Sequence, residues 1–175
     1  MLTINDKTFA PFIGDDQIQP RIAELAAQID RDYQDTRPLL VVVLNGAFLF
    51  AADLMKNLTI ECEITFIRVA SYEQTSSTGV VKQILGLKES VANRHLILVE
   101  DIVDTGLTIA NLSHQLLAQS PASLSVATLL FKPDALQENI ELKYIGFRIE
   151  NRFVVGYGLD YDGLGRNSRD ILALP

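Results

Sequence analysis

The sequence predicts an α/β fold, a mainly parallel twisted sheet flanked by helices, and three observations carry that expectation. Leu39-Leu-Val-Val-Val-Leu44 is a continuous apolar run rich in β-branched residues, as a strand buried on both faces requires. Segments with helical spacing alternate with runs of strand character, the arrangement that parallel sheets produce. The apolar run Leu96 to Val99 ends abruptly in carboxylates, followed by turn residues and then a helical pattern.

In chain order, Ile22, Leu25, Ala26 and Ile29 recur at i, i+3, i+4 and i+7, one face of an amphipathic helix. The strand from Leu39 to Leu44 follows, then the Asn45-Gly46 turn signal and a helix over Phe48 to Met55. Glu61 to Val69 alternates as a strand that includes Cys62. From Ser71 to Lys82 the pattern lapses into polar residues, a composition that by itself suits a solvated hairpin loop. Leu96 to Val99 is the central strand, and the helix starting at about Leu107 runs through Ile109 to Leu117 before Pro121 stops it. Leu124 to Phe131 and Phe153 to Tyr157 are further strands. Neither His95, just before the central strand, nor His114, within the helix, has a partner at metal-ligand spacing. With no repeat, low-complexity tract or linker, residues 1–175 are read as one domain.

Bulk properties exclude several classes of function. A net charge of −7 argues against general nucleic-acid binding, which relies on Lys and Arg neutralising phosphates. One cysteine cannot form an internal disulfide, which suits a reducing cytoplasm. The N-terminus lacks the basic stretch and apolar core of a signal peptide, and no apolar run approaches membrane-spanning length.

The chemistry concentrates in Leu96-Ile-Leu-Val-Glu-Asp-Ile-Val-Asp-Thr-Gly-Leu-Thr108. The segment after Val99 is expected as a loop at a strand's carboxyl end, where open α/β sheets place ligands. Thr105, Gly106, Leu107 and Thr108 offer hydroxyls and unhindered backbone N–H groups at a helix N-terminus, which suits phosphate. Glu100 and Asp101, acceptors when ionised, suit sugar hydroxyls or the waters of a metal. A phosphate cradle beside a diol clamp is the chemistry of a ribose 5-phosphate.

This segment resembles the phosphoribosyl-pyrophosphate signature of type I phosphoribosyltransferases, and its Glu-Asp-Ile-Val-Asp-Thr-Gly form is similar to the hypoxanthine-guanine branch. The resemblance covers roughly Leu39 to Arg166. It implies the type I phosphoribosyltransferase fold, with a small base-recognition hood and a flexible lid loop. Phosphoribosyl pyrophosphate and a 6-oxopurine would be the substrates, Mg²⁺ the cofactor, and a homo-oligomer (dimer or tetramer) the assembly. An acidic protein handling a polyphosphate needs a cation, which agrees with Mg²⁺.

Carried over by position, the resemblance makes Asp104 the general base for the purine N7 proton, with Glu100 and Asp101 on the ribose hydroxyls and near the metal. Ser71-Tyr72 would open a lid that excludes water from an oxocarbenium-like sugar. Asn45 and Gly46 would form a pyrophosphate loop, often built in relatives on a non-proline cis peptide, here between Leu44 and Asn45. Many relatives carry Lys where this chain has Asn45, so a cation near the leaving group is missing; Arg68 and Lys82 have no assigned role. Lys132, by itself readable as a surface charge, would donate to the purine 6-oxygen and mismatch adenine's 6-amino group. In Arg152-Phe-Val-Val-Gly-Tyr-Gly-Leu-Asp-Tyr161, Phe153 would stack on the purine and the Val154 backbone would read its edge. Asp160 would coordinate Mg²⁺ and Arg166 would grip pyrophosphate, although a core aromatic and a turn aspartate also account for Phe153 and Asp160. Two other functions share these residues: a phosphoribosyl-pyrophosphate sensor that binds nucleic acid, and a transferase preferring xanthine or another base. The first would show a basic face or an added DNA-binding domain, and this chain has neither.

Overall fold

The computed structural model describes residues 1–70 and 83–175. The elements are β1 (Leu2–Ile4), β2 (Lys7–Ile13), α1 (Asp15–Asp32), β3 (Leu39–Leu44), α2 (Phe48–Asn57), β4 (Glu63–Ala70), β5 (Gln83–Leu85), β6 (His95–Val103), α3 (Leu107–Leu117), β7 (Ser123–Phe131), β8 (Tyr144–Arg148), β9 (Val154–Val155) and β10 (Ile171–Ala173), with a 3-10 turn at Pro133–Ala135.

The main sheet has the order β5-β4-β3-β6-β7-β8. Five of its strands run parallel, and β5 joins β4 antiparallel. Leu39 to Val43, Leu96 to Val99 and Val126 to Phe131 are buried because helices or loops cover both faces of the sheet. On one face Ile22, Leu25 and Ile29 of α1 and Phe50 and Leu54 of α2 pack against Leu40, Val42, Ile97 and Val99. On the other, Ile109, Leu112 and Leu116 of α3 meet Leu39, Val41, Leu96 and Leu98. The connection through α2 leads outward to β4 on one side, and that through α3 leads to β7 on the other. The strand order therefore reverses between β3 and β6, which opens a crevice at their carboxyl ends.

Several expectations need correction. The central strand does not stop at Val99. It continues to Val103, because β7 keeps pairing beside it through Glu100↔Thr128, Ile102↔Leu130 and Val103↔Phe131. The two adjacent carboxylates thus stand on a strand rather than in the loop beyond it. His95 is the first residue of that strand, bonded through Nδ1 to Ser123 Oγ at 2.8 Å. Cys62 precedes β4 by one residue. Of the strand expected over Phe153 to Tyr157, only Val154–Val155 forms, since Gly156, Tyr157 and Gly158 all take positive φ and curl the chain away.

β9 also lies outside the main sheet. It belongs to a separate antiparallel sheet, β1-β2-β10-β9, that joins the two ends of the chain and none of whose other strands was expected. Ile4, Phe9, Val155 and Leu172 form its own small core. The parallel edge strand β8 was also unexpected; Arg21 of α1 anchors it, donating to the carbonyls of Ile145 and Gly146 at 2.7 and 2.8 Å.

Candidate active site

The β6–α3 loop is shaped by Gly106, which caps α3 in the left-handed region at φ +83°. A Cβ there would also stand 2.8 Å from Leu136 Cδ1, so both torsion and packing call for glycine. The N-cap Gly106 brings no side chain to the start of α3, where the Leu107 N–H donates to Thr105 Oγ1 at 3.4 Å; Thr105, Gly106 and Thr108 line a concavity there. The cavity holds about 250 Å³ and is bounded by residues 100–106, Thr108 and Ile109. Such a helix N-terminus is suited to an anion.

Glu100 and Asp101 form the floor at the strand end. Glu100 is 7% exposed, and its Oε1 accepts from the Asp101 N–H at 3.1 Å. Asp101 Oδ1 accepts from the Ile102 N–H at 2.7 Å. Burial, together with the neighbouring Asp101 charge, pushes the Glu100 carboxyl well above the usual glutamate range. Burial also raises Asp101, while its hydrogen bonds and the Arg166 charge oppose that shift.

The β3 loop approaches from across the crevice. The Leu44–Asn45 peptide is cis, as the resemblance implied. A Cβ on Gly46 would lie 1.4 Å from Asp101 Oδ2, so the missing side chain leaves the space that this carboxylate occupies. On the far side Gly158 backs onto the Gly46 carbonyl. The Gly158 carbonyl accepts from Arg166 Nη1 at 2.6 Å, and Arg166 Nη2 pairs with Asp160 at 2.7 Å. Asp160 also accepts from the Gly163 N–H at 2.7 Å. Asn45, Gly46, Asp101, Asp160 and Arg166 are therefore drawn together from three separate parts of the chain.

A second cavity, of about 290 Å³, shares Asp101, Ile102 and Asp104 with the first and continues to Lys132, Phe153, Val154, Leu159 and Asp160. Lys132 is not a surface charge: it is 6% exposed and donates to Asp104 Oδ2 at 2.9 Å. Phe153 is 44% exposed rather than a core aromatic. It meets Tyr161 edge-on, with centroids 5.8 Å apart, and the Lys7 ammonium lies 5.3 Å from its ring centre. Val154 is buried and paired with Ala173, which holds Phe153 at the rim.

Sequence reasoning flagged Asp104 and Lys132 separately and missed their pairing. It also left Arg68 without a role, although Arg68 Nη2 donates to Asn45 Oδ1 at 2.8 Å. A cationic residue at the carboxyl end of a strand beside the loop-bearing strand was the available signal. Lys7 and Tyr161, beside Phe153, gave no local signal because β2 lies far off in sequence. Ser71 and Tyr72 lie outside the described residues. Among the described residues, no helix is long and apolar enough to cross a membrane.

Residues 14–162 match the phosphoribosyl transferase domain. Over 154 residues the chain is 47% identical to the hypoxanthine-guanine phosphoribosyltransferase of Mycobacterium tuberculosis, covering 84% of this chain and 76% of that protein. It is 42% identical over 153 residues to the hypoxanthine-guanine-xanthine phosphoribosyltransferase of Tritrichomonas foetus, covering 87% and 84%. The solved structure of Trypanosoma cruzi hypoxanthine phosphoribosyl transferase superposes with a TM-score of 0.88 at 35% identity, covering 98% of this chain and 95% of that one.

Proposed function

The chain belongs to the phosphoribosyltransferase family of enzymes, in its hypoxanthine-guanine group, and on that premise we propose that it moves the 5-phosphoribosyl group of phosphoribosyl pyrophosphate onto hypoxanthine or guanine. The products are IMP or GMP and pyrophosphate. One observation carries the base assignment: the buried Lys132 ammonium and the Asp104 carboxylate sit 2.9 Å apart at the junction of the two cavities. A 6-oxopurine presents an acceptor, O6, beside a donor, N7–H. Lys132 has donors only and ionised Asp104 acceptors only, so the pair complements that edge. Adenine's 6-amino group would instead face the Lys132 ammonium, donor against donor.

The ribose 5-phosphate fits the α3 N-terminus with Thr105, Gly106, Leu107 and Thr108, and the ribose hydroxyls fit Glu100 and Asp101. Binding energy far from the reacting carbon then fixes the geometry at C1. Asn45, Gly46 and Arg166 face the pyrophosphate, and Phe153 stacks on the base while the Val154 backbone meets its edge. As the C1–oxygen bond to pyrophosphate breaks, positive charge builds on the ribose. N9 of the purine then forms the new bond, and Asp104 takes the N7 proton as that proton becomes acidic. Ser71 and Tyr72 belong to the segment we assign to the lid.

The carboxylates fit Mg²⁺: their oxygens are hard donors, and this ion typically takes one or two carboxylates together with substrate phosphates. Among the described residues no three acidic, histidine or cysteine side chains converge on one metal position, so Glu100, Asp101 and Asp160 would contribute carboxylates singly or in pairs, with substrate phosphates supplying the remaining ligands. When bound, the ion would neutralise the pyrophosphate and ease its departure. A cytoplasmic setting agrees with the single free Cys62. We carry over a dimer or tetramer from the resemblance; Phe48 and Phe66, 39% and 44% exposed, offer apolar surface for it.

The test is nucleotide formation from phosphoribosyl pyrophosphate and Mg²⁺ with hypoxanthine, guanine, xanthine and adenine supplied separately. IMP and GMP formation that requires Mg²⁺, with adenine inert, is the expected result. Turnover of xanthine alone, or of adenine, would reject the base assignment. Silence with every base alongside intact phosphoribosyl-pyrophosphate binding would point to a sensor instead.

A further inference from the structure

We propose that Arg68 supplies the cationic charge of the pyrophosphate loop and that Asn45 positions it there, an inference that rests on the transferase function proposed above. The family resemblance implies a lysine at this loop position in many relatives. Here position 45 is a short neutral amide, so the loop brings no charge of its own. Register provides the substitute. β3 and β4 pair in parallel up to Leu44↔Arg68, which sets Arg68 beside the last residue before the loop. From there Arg68 Nη2 donates to Asn45 Oδ1 at 2.8 Å. A guanidinium carries five N–H donors in a planar fork, so a single bond to Asn45 orients the group and leaves donors for an anion.

The charge pattern singles out Arg68. Lys132 is paired with Asp104, and Arg166 with Asp160. Among the described residues Arg68 pairs with no carboxylate, and the partner it has is neutral. Its charge is therefore available in a site that holds four acidic side chains and has to receive a polyanion. Position agrees as well: Asn45 is tied to Arg68, while Gly46 is backed by Gly158, whose carbonyl binds Arg166. The loop thus runs between two guanidinium groups, an arrangement suited to the two phosphoryl groups of pyrophosphate.

Calorimetric binding of inorganic pyrophosphate with Mg²⁺, and separately of IMP, tests this on the whole protein. Arg68→Gln is expected to weaken pyrophosphate binding about tenfold, the low end for a charged hydrogen bond in an exposed setting. IMP binding, which does not use the loop, should stay within about twofold. Asn45→Lys added to Arg68→Gln should restore most of the pyrophosphate affinity by returning the charge to the loop itself. Unchanged pyrophosphate affinity in Arg68→Gln would overturn the proposal, as would an equal loss for IMP or failure of the double variant to recover. A wild-type protein that binds neither pyrophosphate nor IMP would instead refute the transferase function beneath it.

Discussion

Gly46→Ala is the sharpest probe of how the crevice is built. Gly46 lies outside the left-handed region, so alanine can adopt its backbone and the whole effect comes from contact. The added Cβ would stand 1.4 Å from Asp101 Oδ2 and 2.5 Å from Asp101 Cγ. Reaching even a tight 3.0 Å requires the carboxylate to retreat by about 1.6 Å or the loop to lift by as much. Turning Asp101 gives up the 2.7 Å bond from the Ile102 N–H, a stability loss of about 1 kcal/mol. A thermal shift of roughly 2–4 °C should register it. Function should suffer more, because a displacement of about 1 Å near the reacting geometry can cost on the order of a hundredfold. We expect kcat/KM for phosphoribosyl pyrophosphate to fall at least about a hundredfold, with the fold intact by circular dichroism. A variant within fivefold of wild type would show that the Gly46–Asp101 contact does not position the ribose, and the diol-clamp assignment would fall with it.

Three further variants address the remaining assignments. Asp104→Asn should retain phosphoribosyl-pyrophosphate binding while kcat drops roughly 10²–10⁴-fold, the span typical of a lost general base; near-normal single-turnover rates would remove Asp104 from that role. Lys132→Met keeps the buried volume but no donor, so kcat/KM for hypoxanthine should fall about a hundredfold and the preference over adenine should shrink; steady-state kinetics with the two bases would show it, and an unchanged ratio would refute the O6 assignment. Asp32→Asn tests a structural pair. Hydrogen bonds from Tyr144 at 2.6 Å and from Lys143 at 2.9 Å hold the Asp32 carboxyl below its ordinary value of 3.8. A depressed acid contributes stability above its unfolded pKa and loses it as pH falls through the folded one. The variant should therefore melt lower than wild type at pH 7, by less than about 1 kcal/mol for so exposed a pair, with the gap closing below pH 3.8. A gap that persists under acid would mean that the carboxylate's charge is not the cause.

What could be read from the chain alone was local. The run Leu39–Leu44 and the helix starting at Leu107 were legible because a buried strand and an amphipathic helix write their periods into neighbouring residues. The chemical groups of the site were legible for the same reason: the carboxylates, threonines and glycine between Glu100 and Thr108 are contiguous. Elements built from distant partners were not. β9 has two residues and is a strand only because Val155 meets Leu172 and Val154 meets Ala173, while β10, three residues long, forms between β9 and the distant β2. β6 looked finished at Val99 because Glu100 and Asp101 are polar, yet β7 extends the ladder past them.

Sequence by itself determined which groups the site contains and the order in which they occur. Tertiary structure decided which of them meet, and register is the reason. Val103↔Phe131 aligns the ends of β6 and β7, so the first residue beyond each strand, Asp104 and Lys132, becomes an ion pair. Leu44↔Arg68 aligns β3 with β4, which brings Arg68 to Asn45. Register is set by how strands far apart along the chain bury their faces together and by the connections between them, and no single segment records it.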